Sequence, residues 1–106
     1  MTSQIFAQIT PSPGVQTELY KSPTNVGILG NLVCNNQSNL TDYISVALDP
    51  TLAVLTNAMW IAYNVPLQGH SVVPLQLLGL YNQSKIIVVS QNGTTNFVFT
   101  GSYSNI

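Results

Sequence analysis

The chain has 106 residues, of which 45% are hydrophobic and only 5% charged, with a formal net charge of −1. That length makes one domain that buries roughly two-thirds of the surface its unfolded chain exposes, so a core forms without metal or disulfide staples. Lys21 and Lys85 are the only bases, and two lysines cannot build the electrostatic footprint that nucleic acid demands.

Other classes fall on similar grounds. Disorder requires high net charge with few aromatic and β-branched residues, the reverse of this composition. No window approaches the roughly 18 apolar residues of a spanning helix, and the longest apolar segment, 72–80, is interrupted by Pro74 and Gln76. The N-terminus has neither the basic residues nor the long apolar run of an export signal, which predicts a protein made in a cytosol. A single cysteine, Cys34, excludes an internal disulfide. Soluble domains usually carry charge on about a quarter of their residues; here solubility rests on Asn, Gln, Ser and Thr. Such a surface fits an ordinary small β domain. It fits better a subunit packed against copies of itself or a larger assembly, where charged side chains would be costly to desolvate.

Taken in order, residues 1–14 carry Ile5, Phe6, Ala7 and Ile9 and then Pro11, Pro13 and Gly14, which predicts an extended N-terminal arm or an edge strand. Residues 15–106 form a single β-sandwich domain. Within it, 15–20 reads as a strand with Val15, Thr17 and Leu19 on one face, closed by Ser22-Pro23 and a Pro-Thr-Asn turn. Residues 26–35 resume with Ile28, Leu32 and Cys34 on one parity, and Gly27 and Gly30 mark a bulge or a close backbone approach. After a polar loop at 35–39, residues 43–48 alternate cleanly: Ile44, Val46 and Leu48 inward, Tyr43, Ser45 and Ala47 outward. Asp49-Pro50 stops that strand, and 51–57 suits one or two helical turns. Residues 59–65 form a strand in which Met59, Ile61 and Tyr63 oppose Trp60, Ala62 and Asn64. The turn at 66–70 leads into 71–81, where Pro74 predicts an edge position or a bulge.

The last part reads most plainly. Runs 85–91 and 94–100 are rich in β-branched and aromatic residues and flank Asn92-Gly93, the signature of a two-residue β-hairpin. Phe97 and Phe99 share one face of the second run. In the first, Ile86 and Val88 share one face while Ile87 and Val89 make the other apolar too, so this strand needs covering twice. About eight short strands at a spacing near ten residues predict an all-β fold, an antiparallel β-sandwich of jelly-roll or related Greek-key kind.

Chemistry is thinly supplied. His70 is the only histidine, so a two-histidine metal site is excluded and no metal or cofactor is expected. Cys34 and His70 are the one possible thiol dyad, but Cys34 reads as strand interior, where cysteine behaves as a small hydrophobe. Glu18, Asp42 and Asp49 are scattered, and nothing in their spacing argues for a paired-carboxylate enzyme; no catalytic residue is expected. Four Asn-x-Ser/Thr matches, at Asn36, Asn39, Asn82 and Asn92, read as polar loops. Trp60, Tyr63 and Tyr81 with the amide-rich loops suit a sugar-binding surface; the alternative, carried forward, is that such a tryptophan anchors a subunit contact.

Several segments resemble a family of short tailed-bacteriophage virion proteins: TELYKSP from Thr17, with Leu19-Tyr20; Val33-Cys34-Asn35 at a strand end; Tyr63-Asn64-Val65-Pro66-Leu67; and a closing aromatic segment with Phe97 and Phe99. The resemblance covers most of 17–106. It implies a β-sandwich accessory component of a virion, made in the host cytoplasm, without enzymatic role: a capsid decoration (cement) protein, or alternatively a tail- or fibre-associated module. The implied partners are other copies of the chain, as a homotrimer, and a major capsid protein or tail protein, with no nucleic acid or membrane. Ile5, Phe6, Trp60, Ile87 and Val89 are the expected interface residues.

Overall fold

The computed structural model describes residues 4–49, 60–81 and 83–104. They contain eight strands and no helix: β1 (Gln4–Ile9), β2 (Thr17–Lys21), β3 (Gly27–Asn36), β4 (Asp42–Asp49), β5 (Trp60–Leu67), β6 (Val72–Tyr81), β7 (Lys85–Ser90) and β8 (Thr95–Ser104). They build two four-stranded antiparallel sheets, sheet A in the order β1-β8-β3-β6 and sheet B in the order β2-β7-β4-β5. The chain changes sheet at every connection except β4 to β5. This nested order is that of an eight-stranded jelly roll, the all-β sandwich that the strand spacing predicts.

The inward parity of each strand supplies the core. Ile28, Leu32, Cys34, Phe97 and Phe99 come from sheet A, and Ile44, Val46, Ile86 and Val88 from sheet B. Each such large apolar side chain contributes about 1.5–3 kcal/mol relative to exposure. At one edge Phe6 turns inward and stacks with Tyr20, Phe99 and Tyr103 at centroid distances of 5.4, 5.7 and 5.4 Å, joining β1 to both sheets. Gly30 faces the core opposite Gly101, and a Cβ there would run into the Thr100 carbonyl oxygen and the Phe99 ring. Close approach, the second meaning of a strand glycine, is the one realised.

Both prolines in strands sit where the ladder tolerates them. Pro74 lies on β6, an edge strand of sheet A, near a register shift between Asn31 and Val33. Pro66 was expected in a turn, but β5 continues through it to Leu67, because β5 is the edge of sheet B and needs no N–H there. The first strand resolves as an edge strand of sheet A.

The hairpin expected at 85–100 does not form. β7 pairs with β2 and β4, β8 pairs with β1 and β3, and the connection between them crosses from one sheet to the other. The Gly93 N–H donates to the Ser90 carbonyl at 3.2 Å, and Gly93, not Asn92, has positive φ (72°). A two-residue hairpin turn of the predicted kind needs positive φ at both positions. The burial requirement of both strands decides the matter: Ile86 and Val88 face Phe97 and Phe99 across the core, which requires opposite sheets. β8 also runs beyond Thr100 to Ser104, its tail pairing with Gly27–Leu29 of β3. Val15 lies outside β2 and is exposed. The helical turns expected at 51–57, and Met59, lie outside the described residues.

Candidate functional site

The polar residues at one end of the sandwich form a structural clamp. Asp42 opens β4 fully buried, and its carboxylate accepts hydrogen bonds from the Ser90 hydroxyl, the Thr95 hydroxyl (2.6 Å) and the backbone N–H groups of Asn92 and Tyr43 (2.9 Å each). Burial pushes the carboxyl pKa up, but these four donors outweigh it and hold Asp42 below its ordinary 3.8. Ser90 belongs to sheet B and Thr95 to sheet A, so one carboxylate ties the sheets together where the chain crosses between them. Beside it, buried Asn36 donates through Nδ2 to the carbonyls of Leu40 (2.8 Å) and Leu67 (3.0 Å) and accepts from Thr94 Oγ1 (3.0 Å) and the Ser38 N–H (3.1 Å). Every bond of the pair is spent inside the fold, and burial also closes Asn36 as a glycan acceptor. Sequence spacing shows Asp42 only as a strand-entry residue; its four donors come from segments 50 residues apart.

The remaining titratable groups do not converge on chemistry. Cys34 is buried in β3, and burial pushes its thiol up to about 12, the opposite of an activated nucleophile. His70 is exposed in the turn before β6, where its N–H donates to the Ser38 carbonyl at 2.8 Å. Asp49 closes β4 with Lys85 Nζ 3.8 Å away. Among the described residues no three His, Cys, Asp or Glu side chains gather as a metal site requires.

A different site lies on the outer face of sheet B. A cleft of about 270 Å³ is lined by Gln16, Ser45, Trp60, Tyr63, Asn64 and Gln91, with Val89 beneath. Simple alternation would place Trp60 and Tyr63 on opposite faces, as the sequence predicts. The pairing of β4 with β5 overturns that. Ile44 pairs with Val65, Val46 with Ala62 and Ala47 with Trp60, so β5 carries surplus residues at Tyr63-Asn64 and again at Ile61. The bulge at Ile61 lies between Trp60 and Tyr63 and reverses their parity, while the second leaves Tyr63-Asn64 opposite the single Ser45. Asn64 takes up the strain at φ 52°, and its N–H donates to Ser45 Oγ at 2.8 Å. Trp60 and Tyr63 therefore meet edge-to-face, 5.4 Å between centroids at 67°. The side chain of Tyr81, the third aromatic of the expected sugar-binding surface, lies outside the described residues.

The outer face of sheet A is built differently. Registers align Ile5, Thr100 and Asn31 in one row, Gln8, Val98, Val33 and Pro74 in the next, with Asn35 beside Val72 and Leu29 beside Ser102 flanking them. Ile5, Val72 and Leu29 are 66%, 60% and 49% exposed. None of the four strands of this sheet contains an acid or a base; all five charged residues of the chain lie on β2, β4 and β7 of sheet B.

The five expected interface residues are thus divided. Ile5 lies on the uncharged face of sheet A, whereas Phe6 is turned into the aromatic cluster. Trp60 and Val89 meet at the cleft of sheet B. Ile87, on the same outer face, is only 9% exposed, so its second cover comes largely from its own chain. No protein-family model, curated protein or solved structure matches this chain.

Proposed function

We propose that this protein is a structural component of a tailed-phage virion, a capsid decoration protein that acts by adhesion and performs no catalysis. The observation that carries this reading is the segregation of charge, which leaves the outer face of sheet A uncharged and studded with exposed Ile5, Leu29 and Val72. Its occupant is a neighbouring copy of the chain. Neither side brings an ion to desolvate, and rows of Val, Ile and Leu among Asn, Gln and Thr satisfy one another. Four strands about 4.8 Å apart, with ten residues at about 3.4 Å in the longest, present a face on the order of 600 Å². That approaches the roughly 800 Å² per partner of a standard interface.

Three of the four sheet edges suit association less. β6 and β5 carry Pro74 and Pro66, β5 is twice bulged, and β2 is short and bears Glu18 and Lys21, all devices that discourage strand addition. The phage context is supported by the segments that resemble virion proteins. The jelly roll serves in viral capsids and in lectins alike, so the fold contributes an analogy only. Light scattering on the purified protein tests the reading: a mass at least twice the 11.4 kDa monomer, with co-sedimentation on purified phage shells, is expected. A clean monomer that leaves shells unbound would overturn it.

A further inference from the structure

We infer that the cleft on the outer face of sheet B is a binding site for a neutral carbohydrate. Three independent features meet there. The first is how its aromatic pair comes about. The bulge at Ile61 brings Trp60 and Tyr63 onto one face, and a second bulge with a left-handed Asn64 follows directly after it; bulges of this kind recur where a strand re-aims side chains for a site. Core packing does not explain the cost, since Tyr63 remains 70% exposed. An exposed ring set edge-on to a second ring offers the apolar C–H face of a sugar one flat platform and one wall.

The second feature is the hydrogen-bonding inventory. The amides of Gln16, Asn64 and Gln91 and the Ser45 hydroxyl surround the rings, and amides both donate and accept, as vicinal sugar hydroxyls require. The third is charge. Every charged residue of the chain lies on this sheet, yet none lines the cleft. A phosphate, sialate or amine ligand would find no counter-ion, so the ligand is neutral. At about 270 Å³ the cleft is slightly below the roughly 300–1,000 Å³ of sites for drug-sized ligands, which suits one or two sugar rings. The site faces away from the uncharged face of sheet A, so it stands or falls independently of self-association.

Trp60 is the only tryptophan of the chain, so its fluorescence reports the cleft directly. The experiment titrates the full chain with lactose, maltose, cellobiose and chitobiose, and with sialyllactose as the anionic counterpart, beside an immobilised glycan array that presents longer chains. The expected result is a saturable change in Trp60 emission with at least one neutral sugar, in either free or immobilised form. Tyr63→Ala, at an exposed position that leaves the fold intact by circular dichroism, weakens it about tenfold. Gln91→Ala weakens it by a smaller factor. An absence of saturable change up to the order of 10 mM together with a blank array would overturn the inference. So would a preference for sialyllactose, or undiminished binding by the Tyr63→Ala protein.

Discussion

Sheets A and B have the same number of strands and nest identically in the jelly roll, yet their outer faces share almost nothing. Sheet A presents an uncharged surface of mixed aliphatic and amide character. Sheet B carries every charge, is bulged along β5, and holds a small aromatic cleft. The two inner faces, by contrast, are alike in kind: Ile and Leu point inward from both, joined by Phe97 and Phe99 from sheet A and by Val46 and Val88 from sheet B. A sandwich core thus constrains only half of each strand, and the outer parity is where two halves of one fold are free to specialise. Here one half is suited to broad adhesion and the other to a compact polar ligand.

The comparison depends on the sheets being held in fixed relation, and the strongest way to break it is at Asp42. Asp42→Ala removes the acceptor shared by Ser90, Thr95, Asn92 and Tyr43 and leaves buried donors unpaired. Urea denaturation should show a loss of about 3–4 kcal/mol. A loss below about 1 kcal/mol would mean that the clamp is not what joins the sheets.

Next in size is the response to pH, which differs between the sheets. Asp42, on sheet B, has a folded pKa below its ordinary 3.8. Its contribution is therefore present above that ordinary value and lost as pH falls through the folded one. The urea midpoint should drop on acidification below about pH 4, and Asp42→Asn should flatten that drop. Cys34, on sheet A, works from the other side: its pKa is raised from 9.0 to about 12. Stability from the neutral buried thiol is full below pH 9 and declines as pH rises toward 12. The same burial predicts that a disulfide-exchange reagent at pH 8 labels native Cys34 only as fast as the protein opens. Prompt labelling would contradict the packing of β3.

The smallest effect on stability discriminates the two faces best. Leu29→Lys, on the uncharged face, should change the monomer's unfolding free energy by less than about 0.5 kcal/mol while abolishing, in light scattering, the self-association proposed for that face. Glu18→Lys, on sheet B, should leave the oligomer unchanged. Equal behaviour of the two variants would remove the functional distinction between the sheets.

Particular residues show what can be read without coordinates. Phe97, Phe99, Ile44 and Val46 were assignable to the core from period-two alternation, because an inward position tolerates only apolar groups. Asn92-Gly93 misled, since a turn dipeptide records local φ preference and not which strand lies alongside. Trp60 and Tyr63 were named as a candidate pair but assigned to opposite faces, since a bulge is a property of two strands in register and leaves no mark in the alternation of one. Amide-rich loops were expected beside the rings, but not which amides: Gln16, Asn64 and Gln91 are ordinary loop or strand residues until three separate segments meet.

By itself, then, the sequence determined the all-β sandwich class, the inward face of strands whose alternation is unbroken and the poverty of charge, since these follow from composition and periodicity, which are local. Which sheet each strand joined was decided only in three dimensions. So were the carboxylate that ties the sheets, the confinement of every charge to one side and the pairing of the two rings. Each of these depends on contacts between residues tens of positions apart, and such contacts are chosen by the shared burial of many side chains at once.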